Sequence, residues 1–198
     1  AANLRGLRLG SLLAWLTPLA GLLILAWQNR HARRSALLSA VRQAPERIRQ
    51  EWARRPPWST LSLLAVTSAL VLTRFWVARA LPAPLFGDSF QHTLITQLIL
   101  DHGGLFNSWA PYAGLDTFTY HFAFHSLSAA LAWLVRLPAS QAVLWMGQIL
   151  NLLAVLALYP LAARAGHSPW AGVAAVLVAG LLSPLPSGYI NWGRYTQL

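Results

Sequence analysis

The sequence predicts an all-α fold, a polytopic transmembrane helix bundle with a juxtamembrane helix in the first large outer loop. Three observations carry this. The 198 residues are 56% hydrophobic and only 10% charged, with mean hydropathy +0.47, a balance that soluble domains seldom combine with long apolar runs. Uncharged stretches of roughly 20 residues recur along the chain, and that is the length that crosses a bilayer core. Ten Trp residues fit a chain that meets the water–lipid boundary many times.

Residues 10–27 form the first expected span. It is uncharged, near the lower length limit for crossing, with Pro18 predicting a kink and Trp27 marking the interface. Residues 28–57 then carry eight Arg against Glu46 and Glu51. The positive-inside rule puts that segment in the cytoplasm. Within it, 35–44 reads as a short amphipathic helix, stopped by Pro45, that can lie on anionic headgroups. Residues 58–80 run back outward, with Arg74 and Arg79 near the outer end, where both can snorkel.

Outside, Asp88 is placed to cap a helix over 89–102, with Gln91 in a capping-box position and Gly103 as the stop. Phe90, Leu94, Ile95, Leu98 and Ile99 are expected to form its apolar face, with Gln91, Thr96 and Gln97 turned away. At about 14 residues it is too short to span and should lie on the membrane. An aromatic loop over 103–120 follows. Residues 121–136 are helical but short, and 139–163 are a clear span in which Gln148 and Asn151 indicate packing against another helix. Arg164 and His167 form a turn, 168–185 the last span, and 187–198 a polar, aromatic loop. If 121–136 crosses the bilayer, Arg194 is cytoplasmic; if not, Arg194 faces the same side as Asp88. Two parts are expected: 1–57, the first span with its Arg-rich segment, and 58–198, a membrane core. The chain starts at Ala1 and stops at Leu198 without a tail, as a piece of a longer membrane protein would.

Composition also excludes functions. With no Cys there is no disulfide, no thiolate metal site and no thiol nucleophile. The net charge of +10 would suit nucleic acid, but its concentration in one inter-span segment makes it an orientation signal, and no nucleic-acid partner is expected. No Gly-rich phosphate loop or dinucleotide pattern is present. The stretch from Gly87 to His125 instead holds three of the five acids (Asp88, Asp101, Asp116) and four of the six His (His92, His102, His121, His125). A polar island between spans is where chemistry is sought.

The order of these parts resembles something known. Gly87 to His92 opens the outer helix with an Asp. Tyr120 to His125 leads into a short helix with Ser126 to Leu134, and a span then ends in a basic turn. A further span ends at an aromatic loop with Arg194. Over roughly 58–198 this looks like the N-terminal half of the GT-C superfamily of polytopic glycosyltransferases, which includes bacterial oligosaccharyltransferases, protein mannosyltransferases and aminoarabinose transferases. The resemblance implies transfer of a sugar from a polyprenyl-phosphate donor to an acceptor at the outer face of the plasma (inner) membrane. It carries the family's outer-loop acid onto Asp88 and keeps 121–136 on the outer side. Further acidic catalytic residues of the family would lie beyond Leu198.

Asp88 can then serve as general base for an acceptor hydroxyl or as a ligand for a divalent cation, Mg or Mn; the plainer alternative is a helix cap. His92 shares its face at i, i+4 and can assist as an acid–base group, or simply meet water. His121 and His125 repeat that spacing and can line a donor-phosphate pocket, or bond locally. Asp116 and Trp109 can contact sugar, or hold the loop and the interface. Arg194 suits a lipid phosphate bidentately, or snorkels. The competing function is a polytopic protein without covalent chemistry, a transporter or a structural subunit. Against a transporter, the acids lie in loops rather than at mid-membrane.

Overall fold

The computed structural model describes residues 10–31, 44–45, 57–116 and 121–197. The amphipathic helix expected over 35–44, and the aromatic residues Phe118 and Tyr120, lie outside these residues apart from position 44. The described chain is all α, and four of its helical stretches are long and apolar enough to cross a membrane: 10–28, 58–78, 139–165 and 169–191. Helix α1 (Gly10–His31) contains Pro18, and at 22 residues is about 33 Å long. Its Leu22, Leu23, Ile24 and Trp27 side chains are exposed, as a lipid-facing helix requires. Helix α2 (Trp58–Ala78) follows, then the juxtamembrane helix α3 (Ser89–His102) and a short helix α4 (Ala123–Val135). Helix α5 (Ala139–Ala165) is the longest. The last crossing is composite. Helix α6 (Pro169–Leu177) begins with Pro in the first turn and a Ser168 hydroxyl accepting from the Trp170 N–H. A π-helical turn (Val178–Leu182) continues it and a short α7 (Ser187–Asn191) ends it.

Three contacts fix which ends meet. The Gly10 N–H bonds the Gly103 carbonyl at 2.8 Å, tying the start of α1 to the end of α3. The Ser140 hydroxyl donates to the Pro82 carbonyl, tying the start of α5 to the end of α2. Gly193 sits against the Ser89 backbone, tying the last loop to the start of α3. The start of α1, the end of α2, the start of α5 and the last loop therefore share one end of the bundle. Helix α4 packs along α3 and α5. Its 13 residues reach about 20 Å, short of a hydrocarbon core. Four helices are long and apolar enough to cross, 123–135 is not among them, and Arg194 lies on the side of Asp88. Arg164 lies near the end of α5, at the opposite end of the bundle, as the charge rule wants.

Two expectations about α3 need correction. The helix has the expected bounds, and Gly103 ends it in the left-handed conformation (φ 65°). However, Asp88 makes no side-chain cap bond. Its backbone is helical (φ −74°, ψ −3°) rather than extended, which swings the carboxylate away from the first-turn N–H groups. Gln91 closes no capping box. The buried face is also rotated from the expected one. It consists of Ser89, His92, Ile95, Thr96, Leu98 and Ile99, while Phe90 is 77% exposed. The reason is polar: His92 and Ser89 have partners inside the bundle, which leaves Phe90 on the outer face. Gln148 and Asn151, by contrast, are buried within the bundle as expected.

This topology fixes three labelling results. In a chain with no native Cys, Gly114→Cys and Arg194→Cys should react with an impermeant maleimide from one side of the membrane, and Ala165→Cys only from the other. Labelling of Gly114→Cys together with Ala165→Cys, with Arg194→Cys reacting only from the other side, would mean that 123–135 crosses after all.

Candidate functional site

The site grows from the i, i+4 register of α3 and of α4. His92 sits one turn into α3, is 1% exposed, and places Nδ1 2.8 Å from Nε2 of His125. His125 is fully buried, and its Nδ1 lies 2.8 Å from the His121 carbonyl one turn earlier. A carbonyl only accepts, so His125 carries its proton on Nδ1 and offers a lone pair at Nε2. His92 therefore donates from Nδ1. The tautomers of both neutral rings follow from one backbone carbonyl.

Tyr195 closes the pair. It is 2% exposed, stacks on Phe124 at 5.0 Å and meets the His92 ring edge-on at 5.6 Å. Its seat is cut into α5. A Cβ on Gly147 would strike the Tyr195 ring, so only glycine leaves the phenol this room. Gly193, at φ +73°, turns the chain ahead of Tyr195, and a Cβ there would meet Ser89. The left-handed turn and the close approach both require glycine.

Burial governs the electrostatics. It lowers His125 from its ordinary 6.5 to about 4, with the neighbouring His92 lowering it further and the His121 carbonyl opposing. Burial also lowers His92, opposed by the Asp88 charge and the Gly193 backbone. Burial raises the Tyr195 phenol, and a hydrogen bond with Ser89 works against that rise.

The other predicted residues divide clearly. Asp88 is exposed at the mouth of this cluster and close enough to act on His92. His121 is exposed and lines a second cavity of about 360 Å³ with Phe124, Leu127 and Tyr195. Arg194 is exposed, its guanidinium 5.5 Å from the Trp192 ring. Asp88, His92, His121, His125 and Arg194 thus gather around Tyr195. Asp116 and Trp109 are not brought into this cluster. Trp109 packs edge-on against Phe106 at 5.6 Å, and its N–H and carbonyl organise the turn through Leu115 and Tyr112. Asp116 is exposed in that loop, and Asp101 accepts from the Gln97 amide at 2.7 Å. Sequence reasoning missed Tyr195, Ser89 and Gly147. The one signal was a lone Gly in a Leu-rich span, too weak without the partner it faces.

A divalent cation would have Asp88 as its first ligand. Among the described residues no three His, Cys, Asp or Glu side chains cluster. One carboxylate fits a hard ion that keeps water and substrate oxygens as its other ligands. No family model, no curated protein and no solved structure matches this chain. Four crossings and a lipid-facing apolar surface make it a multi-pass membrane protein.

Because both rings are held neutral, acid should destabilise the protein. Below 6.5 the unfolded chain takes protons that the folded pair refuses, until about 4 for His125. Thermal stability in detergent should fall across that window by on the order of 2–3 kcal/mol. His92→Leu alone should cost about 1–3 kcal/mol by stranding a buried ring. The double variant His92→Leu, His125→Leu should instead flatten the acid slope, and an unchanged slope in it would assign the effect elsewhere.

Proposed function

We propose that this protein is a membrane glycosyltransferase that moves a sugar from a polyprenyl-phosphate donor to an acceptor hydroxyl at the outer face of the plasma membrane. One observation supports the reading most. An exposed carboxylate, Asp88, stands one helical turn from a water-excluded His–His–Tyr cluster, at the end where all the crossings meet. The order of parts shared with GT-C enzymes supplies the reaction class, and the lipid-facing spans supply access to a lipid-borne substrate.

In this proposal Asp88 takes the proton of the acceptor hydroxyl. The acceptor oxygen then bonds to the anomeric carbon, and the bond from that carbon to the donor phosphate oxygen breaks. The electron pair leaves with the lipid phosphate. Arg194, free of any ion pair among the described residues, neutralises that charge through its planar fork. In the alternative role, Asp88 would hold Mg or Mn, which would supply charge neutralisation at the phosphate. His92 is buried, so it acts as a positioning residue: its bond to His125 fixes the helix turn that presents Asp88. His121, at the neighbouring cavity, lies where the donor can be bounded.

The missing cap bond makes Asp88 a clean test. Neither Asp88→Asn nor Asp88→Ala removes a hydrogen bond that starts α3, so both should insert and fold normally. Loss of a general base typically costs about 10²–10⁴-fold in rate, and both variants should lose at least the lower figure by a similar factor. The assay is sugar transfer from a polyprenyl-phosphate donor in membranes, normalised to protein level. Full activity of Asp88→Asn would falsify the assignment and favour a transporter or structural subunit.

A further inference from the structure

A larger cavity, about 580 Å³, lies on the other side of Tyr195, between α2, α5, the π-helical turn and α7. Its walls are mostly apolar, but five polar side chains line it: Thr73, Arg74, Gln148, Asn191 and Tyr195. Arg74 is the anomaly. It belongs to a membrane-crossing helix, is half-buried, and has no ion pair among the described residues. A cation at that depth faces a bundle interior or a cavity, and is held there for a partner. Its neighbour Arg79 solves the same problem differently, with its guanidinium 3.3 Å from the Trp76 ring centre at the surface.

Gln148 is the second, independent observation. It is 7% exposed, it lines the cavity, and its side-chain oxygen has no hydrogen-bond partner. A buried amide without a partner is costly unless a ligand completes it. Rotation about its last torsion exchanges donor and acceptor, so the amide suits either an anion oxygen or a hydroxyl. Thr73 adds no donor, since its hydroxyl is spent on the Ala69 and Leu70 carbonyls.

The walls determine what kind of anion fits. Val77 and Leu181 line the cavity and both are exposed, so the cavity is open between them on two candidate crossings. Arg74 lies four residues before the end of α2, about 6 Å along the helix axis from it, within the candidate span. The π turn holds the opening through the Ser183 N–H bond to the Val178 carbonyl at 2.6 Å. A volume of this size takes a headgroup and the first carbons of a chain, and the rest of the chain can continue into the bilayer.

We propose that this cavity binds the phosphate head of an anionic membrane lipid. Arg74 engages the phosphate, Gln148 a second oxygen or hydroxyl of the head, and the hydrocarbon chain leaves between Val77 and Leu181. The inference does not require sugar transfer, because binding is read apart from turnover. The test is thermal stabilisation of the detergent-solubilised protein by decyl phosphate, with inorganic phosphate and decanol in parallel. Decyl phosphate should stabilise saturably. Inorganic phosphate should do nothing at the same concentrations, and decanol should act at least tenfold more weakly. Arg74→Gln should weaken decyl phosphate at least tenfold, Arg74→Lys less, and Arg79→Gln not at all. If Arg74→Gln proves too unstable to assay, Gln148→Leu carries the same expectation of weakened binding. Equal action of decanol would reduce the cavity to an apolar groove. Equal action of inorganic phosphate, or unchanged binding in the assayed variants, would overturn the lipid-phosphate site.

Discussion

The hydrogen bond between His92 and His125 joins residues 33 apart in sequence and is wholly buried. Everything at the functional end of the bundle depends on it. It rotates α3 so that a polar face looks inward and Phe90 looks out. It ties the first turn of α4 to the first turn of α3, while the shortness of α4 keeps it from crossing the bilayer. Two buried imidazoles tolerate each other only if both are neutral and their tautomers are complementary, and the His121 carbonyl fixes that choice from inside the same helix turn. Geometry and protonation are therefore one constraint.

That constraint also explains the placement of Asp88. A carboxylate whose side chain capped α3 would be tied to the first-turn N–H groups and less available to anything outside. Here the chain enters α3 through a tight left-handed turn at Phe86 and Gly87, with φ of 61° and 49°. The Ser89 N–H bonds the Phe86 carbonyl, and the Ser89 hydroxyl bonds the Leu85 carbonyl. Backbone and serine do the work of starting the helix. The charge of Asp88 stays at the surface, where it still acts on His92 through a short distance.

The fold was largely legible in the sequence and the site only partly. Hydropathy and length identified the crossings, because the bilayer imposes a length that composition must meet. Helix α3 had its expected ends, since Gly103 stops it locally. What failed was what depends on partners distant in sequence. The inward face of α3 could not be read from its own apolar pattern, because His92 and Thr96 are polar and yet buried. The sequence alone leaves the side of Arg194 open because it turns on whether 121–136 crosses. The tie of Gly193 to Ser89 settles it. Asp116 and Trp109 looked equivalent to Asp88 in composition, but the loop that holds them is a packed unit of its own.

Tyr195 links the two polar regions of the molecule. One side of its ring faces the histidine pair, and the residue also lines the cavity that holds Arg74. Its position is set by a glycine in a neighbouring crossing rather than by its own loop, so the depth of the phenol is fixed relative to α5, the element that also presents Gln148. A cation and an amide in one compartment and a pair of neutral imidazoles in the other are thus held apart by a single aromatic wall. The apolar crossings give that wall its rigidity. Within the described part of the bundle, the polar side chains are spent at the end where the chain turns back on itself, and the remaining length is left to lipid.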